Sequence, residues 1–130
     1  IAYPITKTER KTGPVANFIR AHRDLTLGLL GKTWNWQASS LLLVSTDLQN
    51  EHHQHLSEEE KADSNHTVTR ANGVVSLRTQ GTIFRSPFDT QTEYSTSPGE
   101  TAVFNEGAWH MSPPEVKKRL FLLHFFDKQK

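Results

Sequence analysis

The 130-residue chain contains no cysteine, and its apolar runs are short. Without cysteine, disulfides, zinc–thiolate sites and iron–sulfur clusters are excluded, so any metal must be held by histidine, aspartate or glutamate. Apolar runs such as residues 41–44 fall far short of the roughly 20 residues that span a bilayer, and no amino-terminal stretch resembles a signal peptide. We therefore expect a cytoplasmic protein without a membrane partner.

Net charge is nearly absent as well, since the formal charge at pH 7 is +1. A chain so close to neutrality has no electrostatic footprint for nucleic acid. The length and the 35% of hydrophobic residues suffice for one core and not for two, which predicts a single domain over residues 1–130. The first residue is isoleucine rather than methionine, which indicates a trimmed or mature fragment.

Most segments of the chain favour β-strands. We expect six to eight short strands, with candidates at residues 17–22, 36–46, 68–70, 74–84, 90–97, 101–104 and 119–126. The Asn72-Gly73 pair predicts a hairpin turn, because both residues tolerate positive φ. A polar loop or insertion occupies about residues 48–66, where a short helix can begin near Ser57. This pattern predicts an all-β fold with little helix, a β-sandwich or jelly roll.

Two separated groups of polar residues suggest a metal site. His22 and Asp24 stand two residues apart, and on an extended chain their side chains project to the same face. With His110 they provide two imidazoles and a carboxylate, the set that holds mononuclear non-haem Fe(II) and leaves positions open for oxygen chemistry. His22, Asp24 and His110 are our predicted metal ligands. The alternative for the first two is a surface loop in which the aspartate caps a helix.

Arg119 follows His110 by nine residues and begins an apolar strand candidate. A guanidinium is costly to bury unless an anion accepts its hydrogen bonds. One interpretation pairs its planar fork with the distal carboxylate of a dicarboxylate beside the metal. The other keeps it at an edge, in Lys117-Lys118-Arg119, with its head in water. We favour the first.

Other histidines compete for the role of ligand. His52, His53 and His55 lie within four residues and could bind a metal. Their surroundings are acidic, polar and without a regular pattern, which is a poor scaffold for fixed geometry, so we favour a solvated loop. His124 falls in the last strand candidate, where we expect a hydrogen-bonded core or pocket-lining residue rather than a ligand.

The order of these features resembles the double-stranded β-helix of the Fe(II)/2-oxoglutarate-dependent oxygenases over about residues 17–126. His22-x-Asp24 is similar to the family's first ligand pair. Pro98-Gly99 and the apolar run before His110 resemble its turn and strand, and Arg119 resembles its cosubstrate arginine.

The resemblance implies a dioxygenase that couples oxidative decarboxylation of 2-oxoglutarate, to succinate and CO₂, with hydroxylation or a related oxidation of a small-molecule or peptide substrate. The implied cofactors are Fe(II), 2-oxoglutarate and O₂, with Arg119 as a cosubstrate-binding residue. The chain departs from one common family pattern at Phe121, where some members carry a serine. Ser40 is our candidate for the missing cosubstrate contact.

Two other classes of function stay open. A cupin-like isomerase or small-molecule-binding module shares the jelly-roll architecture, with another metal or none, and fold alone does not separate it from an oxygenase. Such a module has no need of Arg119 beside the metal, so the orientation of that side chain discriminates. The second alternative is a non-catalytic β-sandwich that uses residues 48–66 as a contact surface.

Overall fold

The computed structural model describes residues 1–45, 51–89 and 91–129. Within them the elements are β1 Ala2–Thr6, α1 Pro14–Leu30, β2 Trp34–Val44, α2 Glu58–Ala62, β3 Arg70–Ser76, β4 Ile83–Arg85, β5 Glu93–Ser95, β6 Thr101–Asn105, β7 His110–Met111 and β8 Arg119–Lys128. The strands form a large sheet of order β1-β2-β8-β3-β6 and a small sheet of order β5-β4-β7, with antiparallel pairing. The predicted jelly-roll or β-sandwich class is confirmed.

Three predicted segments extend beyond the described residues. The end of the strand at 36–46, the start of the polar segment at 48–66 and the first residue of the strand at 90–97 lie outside them. The described part of the last segment contains β5, which is an edge strand of the small sheet, as predicted. Neither α1 nor α2 has the length and apolar character needed to cross a membrane.

The large sheet has two faces with different neighbours, because side chains alternate along each strand. On one face Leu122 of β8 packs with Ile5 of β1 and Ile19 of α1 in the buried core. The opposite face of β8 lines a cavity with Arg119, Phe121, Leu123 and Phe125. Since α1 covers the first face, the second face is left for a site.

Residues 17–22 lie in α1, so the predicted strand is wrong there. Pro14 stands in the first turn, where its missing N–H is tolerated, and Gly13 and Gly31 flank the helix at φ values of 108° and 102°. Ala16 and Ile19 are buried on one side of α1. Their spacing of three is helical, and a six-residue window was too short to show it.

The predicted turn at Asn72-Gly73 is also wrong, because both residues lie within β3. Gly73 pairs with His124 of β8 on one side and Val103 of β6 on the other. A Cβ at Gly73 would lie 2.2 Å from Cγ2 of Thr26 in α1. The glycine therefore permits close approach of the helix to the sheet and makes no turn.

The polar segment, predicted as a loop in which a short helix can begin near Ser57, contains that helix as α2. Ser57 Oγ accepts a hydrogen bond from the Glu60 N–H at 3.1 Å, and Glu60 Oε1 accepts one from the Ser57 N–H at 2.9 Å. This reciprocal pair satisfies two N–H groups at the helix start. Before α2, His53 forms an isolated backbone bridge to His110 of β7, and both His53 and His55 lie at the cavity.

Candidate metal and anion site

A cavity of about 480 Å³ lies against the second face of the large sheet. Its walls are mostly apolar strand side chains, including Leu42, Phe104 and Phe121. Polar side chains also line it, and those with metal-binding or anion-binding chemistry include His53, His55, His110, Ser112 and Arg119.

Three histidines converge in this cavity. His53 and His110 form a two-way backbone bridge, with N···O distances of 2.9 and 3.1 Å. The Nε2 atoms of His55 and His110 are 3.0 Å apart, and one ring nitrogen from each of the three histidines lies within 4.8 Å of the others. His110 is buried and His55 is exposed, so the group extends from the interior to the surface.

Hydrogen bonds to carbonyl groups determine the tautomers of two of these rings. His110 Nδ1 lies 2.8 Å from the Ala108 carbonyl oxygen, and His53 Nδ1 lies 2.8 Å from that of Glu51. Because a carbonyl only accepts, each Nδ1 carries the proton and each neutral ring keeps its lone pair on Nε2. His53 Nε2 is buried without a hydrogen-bond partner among the described residues. In metal-binding histidines the ring nitrogen that does not bind the metal usually donates a hydrogen bond, as Nδ1 does in His53 and His110.

The environment also favours the neutral form of two of these rings, His110 and His55. Burial lowers the pKa of His110 to about 4, helped by the neighbouring histidines, although the bond to Ala108 opposes the shift. Burial, with His53 and Arg70 nearby, lowers the pKa of His55 as well. Neutral imidazole is the form that binds a metal ion.

The histidine group fits a divalent ion. Two nitrogens each about 2.1 Å from one ion and at a right angle are about 3.0 Å apart, which matches the separation of His55 and His110 Nε2. Imidazole suits iron, zinc, copper and nickel. The set contains no carboxylate, so the three ligands leave both positive charges of the ion uncompensated.

Arg119 lines the same cavity and is 3% exposed. Its Nη1 donates to Ser112 Oγ at 2.6 Å, its Nη2 donates to Ser76 Oγ at 3.4 Å, and its guanidinium lies 4.7 Å from the centre of the Phe121 ring. The interpretation that placed this side chain in water is therefore wrong. Its contact with a cosubstrate stays a prediction.

The structure does not bring His22 and Asp24 to His110. The His22 ring lies against the other face of the large sheet, with Nδ1 2.8 Å from His124 Nε2 and Nε2 2.9 Å from Thr101 Oγ1. Asp24 is 65% exposed in its side chain and pairs with the adjacent arginine. The predicted ligand pair depended on an extended chain, and in a helix residues two apart do not face the same way.

His124 is a hydrogen-bonded core residue, as predicted. It is 0% exposed, and its Nδ1 lies 2.6 Å from Ser39 Oγ, which also accepts from Trp36 Nε1 at 2.8 Å. Burial, followed by the nearby His22 and Arg23, lowers the pKa of His124 to about 3. The ring is therefore neutral at pH 7.

Ser40 pairs with Leu123 across β2 and β8. It is not among the described residues that line the cavity. The structure thus gives no support to its predicted cosubstrate contact.

The sequence analysis considered His53 and His55 as metal ligands but favoured a solvated loop, whereas in the structure both side chains line the cavity. The available signal was their spacing of two residues on an extended segment, the same spacing that drew attention to His22 and Asp24. Ser112 was missed, although it follows His110 by two residues.

A second group of potential ligands contains Glu60, His66 and Glu106. The buried Glu106 carboxylate accepts the N–H groups of Thr69 and Arg70, each at 3.0 Å. Burial opposes its ionisation, yet these N–H groups and His66 lower the pKa of Glu106 overall. Since Arg70 also pairs with Glu60 at 2.9 Å, this group is held by the protein's own donors and attaches α2 to the sheet.

Among solved structures, the chain is similar to the crystal structure of a Pseudomonas putida prolyl-4-hydroxylase, with a TM-score of 0.57 and 14% sequence identity. The match covers 99% of this chain and 71% of that chain. At this identity the likeness shows the fold alone. No protein-family model matches the sequence, and no curated protein matches it.

Proposed function

We propose that this protein is an Fe(II)- and 2-oxoglutarate-dependent dioxygenase whose metal is held by His53, His55 and His110. The observation that carries the proposal is the convergence of three imidazoles and the buried Arg119 on one cavity of a jelly-roll fold. The similarity to a protein named as a hydroxylase adds support at the level of fold.

The chain's own residues have distinct roles in this proposal. The carbonyls of Ala108 and Glu51 hold the rings of His110 and His53 so that Nε2 faces the ion. Arg119 binds the distal carboxylate of 2-oxoglutarate, and the apolar walls exclude water. Fe(II) bound here would activate O₂ while 2-oxoglutarate is converted to succinate and CO₂, with hydroxylation or a related oxidation of a substrate.

One observation favours a second candidate, a cupin-like isomerase or small-molecule-binding module. A histidine stands where the common Fe(II) facial triad has a carboxylate, and three imidazoles also suit zinc, copper or nickel. The position of Arg119 in the same cavity argues for the oxygenase, because a cupin-like module has no need of a cation there.

Succinate formation tests the proposal. Protein loaded with Fe(II) and 2-oxoglutarate without oxygen should, on exposure to O₂, produce succinate above a no-protein control. Asp24→Ala should behave like the wild type, since that carboxylate is exposed and outside the cavity. His110→Ala should lose the signal because it removes the buried ligand.

Two results together would contradict the oxygenase proposal. They are the absence of succinate and the absence of a 2-oxoglutarate-dependent visible absorption band in metal-loaded protein. Retained binding of zinc, copper or nickel in that protein would favour the cupin-like candidate instead.

A further inference from the structure

His55 differs from the other two candidate metal ligands in how its ring is held. In His53 and His110 the ring is fixed by a hydrogen bond from Nδ1 to a carbonyl oxygen. Among the residues that the structure describes, His55 Nδ1 has no such partner, and its Nε2 lies 3.0 Å from Nε2 of His110. The position of this exposed ligand therefore depends on its main chain.

The main chain of His55 is held on both sides. Its N–H donates to the carbonyl of Glu106 at 2.9 Å, and its carbonyl accepts a hydrogen bond from Nη2 of Arg70 at 3.0 Å. The second of these bonds is charge-assisted, and such bonds are stronger than those between neutral groups. Within the described part of the chain, Arg70 is the one side chain that holds the backbone of His55.

Arg70 is itself fixed at both ends. Its main-chain N–H donates to Glu106 Oε2 at 3.0 Å, and its Nη2 also donates to the two carboxylate oxygens of Glu60 at 2.9 and 3.0 Å. Glu60 in turn accepts the Ser57 N–H in the capping box of α2. Because the guanidinium is already ordered by these contacts, it holds the His55 carbonyl in one place before any ligand binds.

We infer that Arg70 is a positioning residue of the metal centre, which fixes His55 in place of the hydrogen bond that the ring lacks. The inference rests on the metal ligands of the proposed function and not on the reaction that the metal carries out. A ligand that has lost its supporting contact must be ordered when the metal binds, and that cost appears as weaker metal binding.

The exposure of Arg70 separates this role from a general effect on stability. Its side chain is 47% exposed, and an ion pair at such a site adds little to the free energy of unfolding. Loss of Arg70 should therefore change the metal affinity far more than it changes the stability of the metal-free protein.

Titration of metal-free protein with Co(II), whose visible absorption reports its ligands, tests the inference. Arg70→Met keeps the apolar stem and removes the donors, whereas Arg70→Lys keeps a charged donor. Arg78→Met is the matched control, since Arg78 is exposed and outside the cavity lining. Each change is also made in a His55→Ala background, and urea unfolding of the metal-free proteins measures stability.

Arg70→Met should weaken Co(II) binding about 10- to 100-fold, the range for residues that support a metal ligand, with unfolding nearly unchanged. Arg70→Lys should lose less, because its ammonium group still donates to the His55 carbonyl. In the His55→Ala background, Arg70→Met should have no further effect, since the ligand that it positions is gone. Arg78→Met should match the wild type.

Two results would refute the inference. The first is an unchanged Co(II) affinity in Arg70→Met, and the second is the same loss of affinity with and without His55, because Arg70 would then act on the cavity in general. If Arg70→Met does not fold, Arg70→Lys decides the question through the same comparison with and without His55.

Failure of the proposed function gives different results. If His55→Ala alone leaves the Co(II) affinity unchanged, the proposed ligand set fails and the inference fails with it. If Arg70→Met weakens Co(II) binding as expected but Fe(II)-loaded wild type makes no succinate, the inference stands and the dioxygenase proposal loses its support.

Discussion

His55 gives the candidate metal centre its unusual charge. With His53 and His110 it forms a set of neutral ligands that leaves a divalent ion with a charge of +2, where a carboxylate in one position would leave +1. A larger charge attracts an anionic cosubstrate more strongly. Two hydrogen bonds hold the His55 backbone at the cavity. The His55 N–H donates to the Glu106 carbonyl at 2.9 Å, and the Arg70 side chain donates to the His55 carbonyl at 3.0 Å.

Replacement of single histidines tests the ligand assignment. His53→Ala should weaken metal binding by about 100-fold or more, because even the loss of a residue that only supports a ligand costs 10- to 100-fold. The matched control is His52→Ala, whose ring bonds to Glu93 at 2.9 Å and is not in the ligand group. Metal per chain after equilibrium dialysis provides the measurement. Equal loss in both variants would contradict the assignment.

The site residues that could be predicted were those whose neighbours in the sequence already indicate their surroundings in the fold. His110 and Arg119 were recognised from their spacing and from the apolar strand around the arginine, and both line the cavity. His53 and His55 could not be chosen over His22 in this way. Their assignment depends on a backbone bridge to β7, more than 50 residues away, and single-sequence patterns do not report such non-local pairings.

At the scale of elements, the packing of α1 on the large sheet explains the conformation of a segment for which local sequence signals gave the wrong prediction. β2 and β8 were predicted because a long run of apolar residues is visible in the local sequence. The Asn72-Gly73 pair has strong turn propensity, yet tertiary packing placed it in β3 between two strands. The same packing requires a residue without a side chain at Gly73, because Thr26 of α1 occupies the space.

Gly73→Ala should therefore destabilise the protein. The added Cβ would meet Thr26 Cγ2 at 2.2 Å and Thr26 Cβ at 3.3 Å, so the Thr26 side chain or α1 must shift, at a cost of about 1–3 kcal/mol. Gly28→Ala is the matched control in α1, where a new Cβ has nothing within 4 Å and should raise helix stability by about 1 kcal/mol. Urea unfolding of both variants measures the two changes, and equal effects would contradict the packing role of Gly73.

For the whole molecule, the large sheet separates two histidine groups with different tasks. One group faces the cavity and is suited to a metal. On the other face, His22 and His124 belong to a chain of hydrogen bonds that runs from Thr101 through both rings to Ser39 and Trp36, with donor–acceptor distances of 2.6 to 2.9 Å. This chain connects α1, β6, β8 and β2, so its protonation affects the stability of the whole fold.

Burial lowers the pKa of His22, and burial with the nearby His22 and Arg23 lowers that of His124 to about 3 from an ordinary value of 6.5. Between about pH 6.5 and pH 3 the unfolded chain binds more protons than the folded protein, so acid favours unfolding in this window. The stabilisation contributed by these neutral rings is complete above pH 6.5 and is lost as the pH falls towards 3.

His124→Asn tests this dependence, because the amide keeps hydrogen-bonding capacity but does not titrate. Metal-free wild type and variant are unfolded with urea at several pH values from 4 to 8. The variant should be less stable at pH 8, since it leaves a cavity beside Ser39, and its deficit should shrink as the pH falls. Groups that do not contact His124, such as His110, titrate in both proteins and cancel in the difference, whereas His22 belongs to the same hydrogen-bonded pair and is part of the effect. A deficit that does not change with pH would show that protonation of His124 plays no part in the acid sensitivity of the fold.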